Sequence, residues 1–89
     1  MSQPEVRAVP VIDRLSRGDR TLLLLEHTVV ELSPLALAAY DAASGGAGWD
    51  ALTRTLVETF GTPPEGDAGE GVRRVVDELV GLGLVEVAG

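Results

Sequence analysis

The sequence predicts an α+β fold in which a three-stranded antiparallel sheet is followed by three α-helices. Three observations predict it. The first half of the 89-residue chain carries short β-branched and leucine-rich runs separated by turn residues, the second half carries apolar residues at spacings of three and four, and glycines stand where the helices would end.

The elements follow in order. From Val6 to Leu15 the pattern alternates loosely, with Val9 and Val11 flanking Pro10, and a proline inside a strand confines that strand to a sheet edge. Ser16-Arg17-Gly18-Asp19 is turn chemistry. Leu22-Leu23-Leu24-Leu25 is apolar at every position, which suits a central strand covered on both faces. Glu26-His27 allows a tight reversal into Thr28-Val29-Val30-Glu31-Leu32, a third strand by its β-branched pair and its alternation. The simplest product is a meander with the leucine strand in the middle and the third strand as a free edge.

Ser33-Pro34 starts the first helix: serine caps an early N–H, and proline at the first helical position loses no hydrogen bond. Leu35, Leu37, Ala38 and Tyr40 continue it until Gly45-Gly46. The second helix begins between Gly48 and Asp50, places Trp49, Leu52, Leu56 and Phe60 on one side, and ends at Gly61 as a left-handed cap. Gly48 is a weak start because it has no capping side chain. Thr62 to Gly69, with two prolines and two acids, reads as loop. The third helix has the cleanest period, with Val72, Val75, Val76, Leu79 and Val80 forming one apolar stripe before Gly83. Val85 and Val87 close the chain as a short extended tail.

Composition narrows function. A chain this short buries only about 60 to 65% of its extended-chain surface, so its apolar residues serve one core and leave little room for a deep catalytic cavity. The reading is one domain over residues 1–89, with 1–5 disordered. Seven arginines, no lysine and fourteen acids give a net charge of −7, which argues against nucleic acid, because a binder concentrates cations to neutralise phosphates. No apolar run is long enough to span a bilayer. The N-terminus lacks secretory features and there is no cysteine, so the expected location is cytoplasmic and a disulfide framework is excluded.

No catalytic constellation emerges, and the chain is read as a non-enzyme without cofactor or metal. His27 is the single histidine and has no nucleophile at a recognisable spacing. Glu65, Asp67 and Glu70 solvate a loop, and Gly45-Gly46-Ala47-Gly48 lacks the lysine of a phosphate cradle. Arg17-Gly18-Asp19 is a hairpin turn. Two features remain. The third strand carries only Glu31 as a charge and no proline, so it is open to strand addition by a peptide. On the third helix, Arg73 with Asp77 and Arg74 with Glu78 are i,i+4 pairs, and either arginine is placed to read acidic side chains on a peptide at that edge.

The stretch from Leu22 to Val85 resembles the PqqD-like family, the small winged-helix-like domains known as RiPP recognition elements. The resemblance rests on Leu22-Leu23-Leu24-Leu25, Val29-Val30-Glu31-Leu32-Ser33, Leu52, Leu56 and Phe60 followed by Gly61, and Val75-Val76-Asp77-Glu78-Leu79 with Gly83-Leu84-Val85. It departs from the family at Ser33, where asparagine is usual, and at Gly48, where Ser or Thr commonly caps the second helix. The resemblance implies capture of the leader segment of a ribosomally made precursor peptide as an added strand between the third strand and the third helix. The leader would then be presented to a modifying enzyme or leader peptidase acting in trans. The implied strand wall is Val29, Val30, Glu31 and Leu32; the implied helix wall is Arg73, Val76, Asp77 and Val80, with Arg74 beside it. A stand-alone monomer or weak dimer is expected. The rivals are a winged-helix DNA-binding regulator, which the charge disfavours, and an acidic carrier protein with Ser33 as the attachment point, which lacks the usual Asp-Ser-Leu start.

Overall fold

The computed structural model describes residues 4–62 and 67–88. Its class is α+β as expected, with three helices, but its strands form two three-stranded antiparallel sheets instead of one. Pro10 is the reason. Without an N–H it cannot continue a ladder, so the expected strand from Val6 to Leu15 divides into β1 (Glu5–Ala8) and β2 (Asp13–Arg17). Between them, the N–H of Val9 donates to the Leu84 carbonyl and that of Ile12 to the Leu24 carbonyl. The two halves therefore join different sheets.

One sheet is the predicted meander. β2 pairs with β3 (Arg20–Leu24) and β3 with β4 (Val29–Leu32), so the leucine strand is central. The β2–β3 loop is the pair Gly18-Asp19, and Gly18 at φ 63° supplies the left-handed residue at its first position. The other sheet places β1 between β5 (Ala47–Gly48) and β6 (Val85–Ala88), in register from Glu5↔Ala88 to Ala8↔Val85. The expected tail is thus a strand, and Glu5, expected to be disordered, opens β1. Gly46, at φ 95°, lies so close to this strand that a Cβ there would overlap the Glu5 carboxylate.

The helices are α1 (Pro34–Ala42), α2 (Trp49–Phe60) and α3 (Ala68–Gly81). Ser33 caps α1 by accepting from the Ala36 N–H at 3.2 Å. Gly48 caps α2 with no side-chain bond, and Asp50 in the first turn offers its charge to the exposed N–H groups instead. Part of the expected loop is helical: Asp67 accepts from the Gly69 N–H and starts α3 earlier than the valine stripe suggested, while Pro63 to Gly66 lie outside the described residues.

A single core joins both sheets to the helices. Val6 comes from β1, Leu23, Val30 and Leu32 from the meander, Ala39 from α1, Leu52 and Leu56 from α2, and Val72, Val76 and Leu79 from α3. Leu84 folds back over the last turn of α3, its N–H donating to the Leu79 carbonyl. With a Cα envelope of 33 × 33 × 18 Å the molecule is about one sheet and one helix thick, so the meander has one covered face and one open face. The expectation that the leucine strand is covered on both faces is corrected accordingly. Leu23 is buried, whereas Leu22 and Leu24 lie on the opposite, partly exposed face.

Candidate functional site

β4 is the edge of its sheet, with β3 as its hydrogen-bonded neighbour among the described residues. Its backbone can be assigned group by group. The two-residue loop makes Arg17–Arg20 a hydrogen-bonded closing pair, so alternate residues of β3 bond to β2 and the others to β4. Leu23 and Thr21 face Val30 and Leu32, in keeping with the Leu25 N–H donating to the Thr28 carbonyl at 2.8 Å in the same phase. The N–H and C=O groups of Val29 and Glu31 consequently point away from the sheet.

The side chains follow the same alternation. Val30 and Leu32 face the core at 8% and 4% exposure, while Val29, 58% exposed, and Glu31 stand on the open face. This strand is pinned from one side by apolar burial and offers two residues' worth of backbone groups at its edge. Arg20 reaches to 3.9 Å from the Glu31 carboxylate across the open face.

The predicted helix wall is not one surface. Val76 is 1% exposed and belongs to the core, flanked by Val72 and Leu79. At 100° per residue Arg73 and Val80 share one flank of α3, with Asp77 behind them, and Arg74 lies on the outer face. Arg73 is drawn to the start of α2, where its guanidinium carbon sits 5.3 Å from the centre of the Trp49 ring. The expected Arg73–Asp77 and Arg74–Glu78 ion pairs do not close; the described ion pairs are Arg7–Glu5, Arg14–Asp41, Arg20–Glu31 and His27–Glu26. Val80 remains 43% exposed.

The opposite flank of α3 holds what the sequence reading missed. Val75 and Val72 line an apolar groove of about 320 Å³ with Leu35 of α1 and with Leu56, Val57 and Phe60 of α2. Leu35 stands three residues beyond the end of β4, and no residue of β4 itself lines the groove. Leu35 and Phe60 remain exposed at its rim, although the helical spacing puts Phe60 on the same side as Leu52 and Leu56.

Other sequence candidates resolve into structural roles. His27 is an exposed turn residue 3.8 Å from Glu26. Ser33 spends its hydroxyl on the α1 cap, which explains it without any attached arm. Tyr40 donates to the Val9 carbonyl at 2.7 Å and ties α1 to the β1–β2 connection; burial raises its pKa above the usual phenol value. Arg14 makes a two-pronged contact with Asp41, and the hydrogen bond to that carboxylate raises the guanidinium pKa. No group of acids, histidines or cysteines suited to a metal occurs among the described residues, and none of their helices is long and apolar enough to cross a membrane. Neither a protein-family model nor a curated protein matches the sequence.

Proposed function

We propose that this chain recognises the leader segment of a ribosomally made precursor peptide by strand addition at β4 and presents it to a modifying enzyme, as a winged-helix-like member of the PqqD-like family. The observation that carries the reading is the β4 edge itself. Outward N–H and C=O groups at Val29 and Glu31 sit on a strand held in place by burial of Val30 and Leu32. An extended peptide pairing there alternates its side chains between the open face, where Val29 and Glu31 lie, and the helix side. For an apolar residue on the helix side the open surface is the Leu35–Val75 groove, since Val76 is fully buried. Arg73, engaged with Trp49, is then a rim charge on the other flank of α3.

The test is calorimetric titration with the synthetic leader of a precursor peptide encoded beside the gene. The expected dissociation constant is below about 100 μM, with loss of binding when a proline enters the leader's pairing segment or when Glu31 is replaced by proline. Because the Glu31 N–H points outward, Glu31→Pro keeps the β3–β4 ladder intact. Undiminished binding by that variant rejects strand addition at β4.

A further inference from the structure

The meander has a second free edge, β2, and its residues are arranged to pair with themselves. All five of them, Asp13 to Arg17, are exposed, and β3 is their hydrogen-bonded partner. The same alternation that frees Val29 and Glu31 on β4 frees the backbone groups of Arg14 and Ser16 on β2. The Arg14 N–H confirms this direction: it turns outward to the Asp13 carboxylate, 2.8 Å away, and not to β3.

We infer that β2 is a homodimer interface, in which two copies pair their β2 strands antiparallel about a two-fold axis through Leu15. In that register Arg14 lies opposite Ser16 of the other copy, so the outward groups exchange hydrogen bonds. Leu15 meets Leu15 in the intervening close pair, and Asp13 lies opposite Arg17 on the same face. Charge complementarity selects this occupant. Asp13, Leu15 and Arg17 read negative, apolar, positive along one face of the strand, an order that is complementary to its own reverse, and Arg17 has no ion-pair partner among the described residues. Charges on an edge strand ordinarily discourage pairing, but here the order of signs converts them into matched pairs. Asp13 exchanges its own Arg14 N–H for the Arg17 of the partner. The open faces of the two meanders join, so Leu15, Leu22, Leu24 and Val29 of both copies lie on one shared face. The contact is small, five residues per strand, and the association is correspondingly weak.

Sedimentation equilibrium of the full chain over roughly 10 μM to 1 mM tests it, and the expected result is a concentration-dependent monomer–dimer equilibrium. Ser16→Pro removes an outward N–H while leaving the β2–β3 ladder, and it should leave a monomer. Arg17→Asp should weaken association about tenfold, and the charge-exchanged pair Asp13→Arg with Arg17→Asp should restore it to within about threefold. Glu31→Pro at the opposite edge should leave dimerisation unchanged, which separates this inference from the leader-binding reading. A monomer at the highest concentration overturns the inference, as does a dimer that survives Ser16→Pro and Arg17→Asp or one lost in Glu31→Pro.

Discussion

β2 and β4 are the two edges of one sheet, equal in exposure of backbone groups and unlike in almost everything else. β4 alternates between buried and exposed side chains and continues without a break into the capped start of α1. β2 is exposed throughout, and its fixed points are the hairpin at Gly18-Asp19 and the Arg14–Asp41 contact to α1. The difference teaches that the core holds the geometry of β4 before any partner arrives, and a pre-ordered edge of this kind would lose little further entropy on pairing with a strand. An edge held by a hairpin and one surface ion pair suits a weak, symmetric contact.

The sharpest way to break the comparison is to put a charge at a central apolar residue of each edge, Val30 facing the core on β4 and Leu15 facing outward on β2. Val30→Asp buries a carboxylate without a partner and is expected to cost roughly 3 to 5 kcal/mol, enough to unfold most of the protein in chemical denaturation, whereas Leu15→Asp should change stability by less than about 0.5 kcal/mol. Next in size is the proline exchange. Glu31→Pro should lower leader affinity by about 100-fold and Ser16→Pro by less than about twofold, read by titration with the same leader peptide. Equal losses would mean that the leader does not distinguish the edges.

Two smaller effects concern the ties that hold α1 to the β1–β2 connection and to the meander. Tyr40→Phe removes the hydrogen bond to the Val9 carbonyl and should cost about 1 kcal/mol. Burial raises the Tyr40 pKa in the folded state, so the neutral phenol is the form that folding favours. Its contribution is complete below the unfolded value of about 10 and disappears as the pH rises through the higher folded value; denaturation at alkaline pH should show this loss in the parent and not in Tyr40→Phe. The Arg14–Asp41 pair is smallest: both side chains are more than a third exposed, so a double-mutant cycle to alanine should return a coupling of about 0.2 to 1 kcal/mol that shrinks with added salt.

Legibility in the sequence divides along the same line as the two sheets. The β2–β3–β4 meander was readable because its signals are local: Gly18-Asp19 for the hairpin, four leucines for the central strand, and Ser33-Pro34 for the turn into helix. Val6 was readable as strand but not its partners, since Glu5 pairs with Ala88 and Gly48, positions with no local signal linking them. Of the candidate site, the β4 edge was legible from Val29 to Leu32. The helix wall was not, because periodicity gives the apolar stripe of α3 but not which flank meets which neighbour; Arg73 went to Trp49, and the groove opened beside Val75.

By itself the sequence determined the class, the three helices, the caps at Ser33 and Gly61, the central leucine strand and the free edge at β4, because each depends on residues within a few positions of one another. Only the tertiary structure decided that Pro10 sends β1 and β2 to different sheets, that the C-terminal valines close the second sheet, and that Leu22 and Leu24 face outward. These outcomes depend on which distant surfaces remain to be covered once the core around Leu23, Leu52 and Leu79 has formed, a competition among long-range burials that no local pattern records.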